Sequence, residues 1–161
     1  MVKDIFSILA DLSIQYQRIN HVPVYTSEQA RALVPKTDAA SAKNLFLKDK
    51  KGKNHYLLVF DDLKMVDFDR LSGQVGSTRL SLASPRRLDA FLGVDPGAVS
   101  LLALVNDPDQ KVQLLMDLDL WNEEFLQVHP LVNSATLVVA MEDIKRFLQA
   151  VGHKVSLVEI T

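Results

Sequence analysis

Cysteine is absent from the chain, glycine and proline occur only six times each, and there is one tryptophan. Without thiols there can be no disulfide, no thiolate nucleophile and no cysteine-ligated zinc, and a reducing compartment is compatible. No apolar run approaches the roughly 18 residues that span a bilayer. The opening Met1-Val-Lys-Asp-Ile-Phe-Ser-Ile-Leu-Ala10 also lacks a secretory core with a cleavage site. A cytoplasmic location without a membrane partner is therefore expected. An excess of positive charge is missing as well: the net charge of −2 argues against a general polyanion binder, and no DNA partner is expected.

The familiar chemistry motifs are missing too. His21, His55, His129 and His153 fall in no His-Glu-x-x-His or comparable spacing, so neither a metal nor a cofactor is expected. There is no phosphate-binding P-loop and no Gly-x-Ser-x-Gly nucleophile elbow. Gly73-Gln-Val-Gly76 has the Gly-x-x-Gly of a KH loop but not its surroundings.

What is present suits one folded domain over residues 1–161, with 48% hydrophobic and 24% charged residues and no low-complexity tract. Helical spacing of Ile5, Leu9 and Leu12 predicts a helix over 3–13, followed by a strand over 14–19. Thr26 and Gln29 form a capping box for a helix over 27–33. The stretch 41–60 holds two runs rich in Leu, Phe, Tyr and Val, split by a charged segment ending at Gly52, which predicts a β-hairpin. A short helix is expected within 61–71 and a turn-rich passage at Gly73 and Gly76. Ser84 and Pro85 open a helix that Gly93 closes. The runs 99–105 and 111–118, flanking Asn106-Asp-Pro-Asp109, predict a second hairpin. Strands over 126–129 and 135–139, a helix over 142–151 and a strand over 154–160 complete an α+β fold, a mixed and largely antiparallel central sheet flanked by helices.

Lys43 opens the first hairpin strand. Alternation puts Lys43, Leu45 and Leu47 on one face and Asn44, Phe46 and Lys48 on the other, so a leucine face turned inward sets the Lys43 ammonium at the rim of a core. On pattern alone such a lysine is an edge residue that discourages strand pairing. His129-Pro130 ends an apolar strand, where a histidine commonly bonds to backbone. Gly97 follows proline and reads as a turn residue. The lysines at 48, 50, 51 and 53, with Arg79, Arg86 and Arg87, form a local basic patch that can hold a few phosphates on a slightly acidic molecule.

Taken together, Lys43-Asn-Leu-Phe-Leu-Lys-Asp-Lys-Lys-Gly52, Leu92-Gly-Val-Asp-Pro-Gly97-Ala-Val99, Val105-Asn-Asp107 and His129-Pro-Leu-Val-Asn133 resemble the YbaK/prolyl-tRNA-synthetase-associated editing domains. Within them the likeness is greatest to free-standing Ala-tRNA(Pro) deacylases, and it runs over nearly the whole chain. The resemblance implies that fold and a trans-acting hydrolase that cleaves the ester of mischarged tRNA(Pro), most naturally Ala-tRNA(Pro). Cys- or Ser-tRNA esters, or a noncatalytic module binding tRNA or an amino acid, are the alternatives. It gathers Lys43, Gly97 and His129 into a catalytic pocket, with Asn44, Ser100, Asn106 and Asn133 as substrate-binding residues. The partner it implies is the acceptor end of a mischarged tRNA, held by Lys48, Lys50 and Arg79, with prolyl-tRNA synthetase as a docking candidate. Lys43 would act as a compact positive charge rather than as a general base. The family commonly has proline four residues after the motif glycine; this chain has Leu101.

Overall fold

The computed structural model describes residues 4–23 and 39–160; the helix expected over 27–33 lies outside them. In chain order the elements are α1 (Ile5–Asp11), β1 (Tyr16–Asn20), β2 (Ala42–Lys48), β3 (His55–Asp61), α2 (Phe68–Val75), β4 (Ser81–Leu82) and α3 (Pro85–Leu92). Two 3-10 segments follow, Pro96–Ala98 and Leu101–Asn106. Then come β5 (Val112–Asp117), α4 (Leu118–Trp121), β6 (Phe125–Val128), β7 (Ala135–Ala140), α5 (Met141–Val151) and β8 (Val155–Val158).

The strands divide into two sheets rather than one. A five-stranded sheet has the order β4-β2-β3-β5-β8, and a three-stranded one has the order β1-β7-β6. The smaller sheet is antiparallel throughout, whereas β5 pairs parallel with both β3 and β8. This is the expected α+β architecture. The hairpin forms as read, from Lys43 opposite Phe60 to Lys48 opposite His55.

Pleating gives each face of the larger sheet its own core. Phe46, Leu57, Val59, Leu114 and Met116 pack with Leu126, Val128, Leu137 and Val139 of the smaller sheet in the larger cluster. Leu47, Tyr56, Leu58, Phe60 and Leu115 pack on the other face with Leu71, Leu80 and Ile160. Burying a leucine fully contributes about 1.5–3 kcal/mol, so these runs fix the register: a one-residue slip would exchange the faces.

The α3 helix has the predicted ends. The Ser84 side chain accepts from the Arg87 amide, Pro85 fills the first turn, and Gly93 caps it at φ 65°.

Two expectations need correction. The run 99–105 is not a strand: Leu101–Asn106 is a 3-10 helix, so no second hairpin forms and β5 pairs inside the larger sheet instead. Leu101, Leu102, Ala103 and Leu104 are all buried, and a run buried on every side has no periodicity with which to tell strand from helix. The Gly73 and Gly76 passage is also not a turn pair. Asp67 caps α2 by accepting from the Asp69 and Arg70 amides, Gly73 lies in its interior, and only Gly76, at φ 69°, ends it.

Candidate functional site

Ala40 ties the two sheets together. Its amide donates to the Phe125 carbonyl (2.9 Å) and its carbonyl accepts from the Gln127 amide (3.0 Å), an isolated parallel bridge to Leu126. Lys43 and His129 each stand three residues beyond that bridge in the same direction. The start of β2 is held further by Ser41, whose hydroxyl donates to Asp62 Oδ2 (2.8 Å) and whose carbonyl accepts from the Asp62 amide (3.2 Å).

The His129-Pro130 corner is clasped by Ser100. That side chain, 1% exposed, donates from Oγ to the His129 carbonyl (2.7 Å) while accepting from the Leu102 amide (3.2 Å). One hydroxyl thus caps the 3-10 helix and fixes its start to the end of β6. Gly97 lies three residues earlier in the 3-10 turn Pro96–Ala98, a helical backbone that does not itself require glycine.

The His129 ring is half-buried, and its Nδ1 is buried without a hydrogen-bond partner. Burial pushes its pKa below the ordinary histidine value and nearby His21 adds to this, while the Ala135 backbone works the other way. The ring is therefore a neutral imidazole at physiological pH. His21 is held from two sides. Its Nδ1 lies 2.8 Å from the Val22 carbonyl oxygen, which can only accept, so in the neutral ring Nε2 accepts the hydroxyl proton of Thr136 at 2.9 Å.

The other predicted residues are spread more widely. Lys43 is exposed on the face of Leu45 and Leu47, at the rim of the smaller core, and no other described residue bonds its ammonium. Asn44, half-buried, is on the Phe46 face and so turns toward the larger core. Asn106 donates from Nδ2 to the Leu92 carbonyl (2.8 Å), closing the end of α3, and its Oδ1 is buried without a partner. Asn133 is half-buried in the bend after the His-Pro corner.

The phosphate-binding candidates are not at this end of the sheet. Lys48 closes β2, about 17 Å from Lys43 at ~3.3 Å per strand residue. Lys50 is exposed beyond it, and Arg79 is exposed 3.7 Å from Asp69. Leu101 is 0% exposed and follows the Ser100 cap, the first helical position, where proline loses no needed amide. The backbone thus accepts either residue, and leucine adds a side chain to the core. Among the described residues no group of three or more His, Cys, Asp or Glu could hold a metal ion.

His21 and Thr136 escape sequence reasoning. They are 115 positions apart, and no spacing signal connects them.

The family model for the aminoacyl-tRNA editing domain matches residues 21–147. The prolyl-tRNA editing protein ProX of Acetoanaerobium sticklandii is 38% identical over 152 residues, covering 94% of this chain and 93% of that protein. The prolyl-tRNA synthetase associated domain-containing protein 1 of Danio rerio is 33% identical, covering 94% and 83%. Among solved structures, a hypothetical protein superposes with a TM-score of 0.75 at 18% identity, covering 98% and 99% of the two chains. A structure provisionally described as a trans-editing enzyme for prolyl tRNA synthetase superposes with a TM-score of 0.67 at 16% identity, covering 100% and 98%. These two likenesses concern the fold.

Proposed function

Because this chain belongs to the aminoacyl-tRNA editing domain family, we propose that it is a trans-editing deacylase that hydrolyses the ester of mischarged tRNA(Pro), with alanine as the amino acid removed. Water adds to the ester carbonyl carbon, the bond from that carbon to the ribose oxygen breaks, and the ribose oxygen takes the proton. Free amino acid and tRNA with an intact terminal ribose are released.

The observation that carries this reading is the Ser100 clasp on the His129 carbonyl. It joins the segment after Gly97 to the His-Pro corner, beside the bridge from which the Lys43 strand begins. In this arrangement the neutral His129 imidazole offers a hydrogen bond to the substrate or the attacking water. Backbone amides near Gly97 face the reacting carbonyl. Lys43 holds the phosphate near the terminal adenosine, or the developing oxyanion, as a point charge. The ester is already activated, so holding it in place does much of the work. Asn44, Ser100, Asn106 and Asn133 act behind this set, with Asn106 working through the end of α3.

Selectivity rests on size. A site built for proline rejects smaller side chains poorly, since each missing methylene is worth only ~1–3 kcal/mol, and a second, smaller site destroys what the first lets through. Prolyl-tRNA synthetase, which makes the mischarged ester, is the expected working partner in the cytoplasm. The test follows release of amino acid from alanyl-, cysteinyl-, seryl- and prolyl-tRNA(Pro) by the protein and by Lys43→Ala. Release of alanine but not proline supports the reading; no release from any of the four overturns it.

A further inference from the structure

The hairpin loop 49–54 is a built feature rather than a loose charged tip. Asp49, its one acid, is buried and turned inward: its carboxylate accepts from the Lys53 amide (2.8 Å) and from Asn54 Nδ2 (2.9 Å). The Lys50 amide donates to Thr78 Oγ1 (3.1 Å), and Arg87 Nη1 donates to the Gly52 carbonyl (3.2 Å). A Cβ on Gly52 would fall 2.9 Å from an Arg87 nitrogen, so the loop packs tightly on the start of α3. With the backbone fixed, Lys50, Lys51 and Lys53 stay exposed, and their ammonium groups have no bonded partner among the described residues. Arg86, on the first turn of α3, is exposed as well.

The opposite end of the same sheet is acidic. Asp61 ends β3, Asp117 ends β5, and Asp119 follows it, with Lys64 spanning Asp117 (3.0 Å) and Asp119 (2.6 Å). Lys43 stands at that acidic end, where its strand neighbour across β3 is Phe60. Cations without a bonded partner among the described residues are therefore gathered at the loop, while the Lys64 charge at the other end is taken up by Asp117 and Asp119.

We propose that the loop cations Lys50, Lys51 and Lys53, with Lys48 and Arg86, form a docking surface for the phosphate backbone of the tRNA acceptor arm, set apart from the ester. This rests on the editing reading. At about 17 Å or more along β2 from Lys43, the loop meets phosphates away from the terminal nucleotide, so a full acceptor arm binds better than its aminoacylated tip. Such contacts position without reading bases. Residues 49–54 contain no apolar side chain, which sets the loop apart from a membrane-surface segment, where apolar burial accompanies the charge.

The test compares wild type with Lys50→Ser/Lys51→Ser/Lys53→Ser and with the triple Lys→Arg variant. Binding of uncharged tRNA is measured across salt concentrations, and hydrolysis is followed on alanyl-tRNA(Pro) and on a 3′-alanylated CCA trinucleotide. The serine variant should lose about 2–3 from the slope of log affinity against log salt, at ~0.7–0.9 per phosphate, and about tenfold or more in tRNA affinity. Its KM for alanyl-tRNA should rise with kcat and trinucleotide hydrolysis unchanged, and the arginine variant should match wild type. An unchanged slope, an equal loss on the trinucleotide, or loop-dependent binding to anionic phosphatidylserine vesicles in place of tRNA would overturn it. If wild type hydrolyses neither ester the editing reading fails, while the tRNA-binding slope still decides the role of the loop.

Discussion

The Thr136 hydroxyl lies 2.9 Å from His21 Nε2, joining two residues 115 positions apart at the edge of the His129 corner. Thr136 is 2% exposed, so its hydroxyl needs a partner, and His21 Nε2 supplies it.

Replacing Thr136 by valine keeps the shape and leaves His21 Nε2 unpaired. The expected cost is about 1–3 kcal/mol of unfolding free energy, with Thr136→Ser close to wild type. Urea titration checks the stability, and the His21 ring nitrogen resonances should move in the valine variant but not in the serine one.

Ser100→Ala removes the bond to the His129 carbonyl and the cap on the Leu102 amide together. A cap alone is worth about 1 kcal/mol, so a loss of roughly 1–3 kcal/mol is expected from the two. Hydrolysis of alanyl-tRNA(Pro) should fall at temperatures where the variant remains folded, because the His-Pro corner loses its clasp. Circular dichroism melts run beside single-turnover assays check both.

Two histidines make stability fall in mild acid. Burial lowers the His129 pKa, and burial followed by the Arg87 charge lowers that of His55, which packs in a three-ring cluster with Phe46 and Phe91 and faces Arg87 Nη1 at 3.1 Å. A group that binds its proton less readily folded than unfolded gives the unfolded chain the extra proton at low pH. Stability should therefore be level above the ordinary histidine value of ~6.5 and decline as pH drops below it, until the folded-state rings protonate too. His55→Gln and His129→Gln should each flatten that slope in pH-dependent urea titrations. Any loss of hydrolysis from protonating His129 should set in at a lower pH than an ordinary histidine would give.

Leu101→Pro keeps a backbone that accepts proline at the first helical position but removes a side chain that is 0% exposed. The variant should fold, lose about 2 kcal/mol or more to the cavity, and keep its preference for alanine over proline. Denaturant titration and paired hydrolysis assays check this. A switch in the amino acid released would show that Leu101 shapes the pocket.

The parts of the fold that could be read from sequence are those whose signal is local. Ser84, Pro85 and Gly93 mark the two ends of α3 by the bonds they make or give up, and the 42–61 hairpin announces itself through two β-rich runs around a charged loop. The 99–105 run misleads because burial on every side erases periodicity, and its local helix signal is a single hydroxyl, that of Ser100 on the Leu102 amide. The two sheets are joined through the Ala40 bridge, a contact of two backbones that no side-chain pattern encodes. At the site, family resemblance supplies Lys43, Gly97 and His129, while His21 and Thr136 emerge only once β1 and β7 are paired. Asn106 lies in a family block, yet its amide is committed to the end of α3.

Lys43 carries the editing account most directly, and its exposed side chain can be removed without opening a core. The decisive measurement is the single-turnover rate of alanine release from alanyl-tRNA(Pro) by wild type and Lys43→Ala at matched thermal stability, with prolyl-tRNA(Pro) as control. The account predicts release by wild type, none from the prolyl ester, and a fall of about 100-fold or more in the variant. Equal rates for the two proteins, with unchanged melting temperatures, would contradict it.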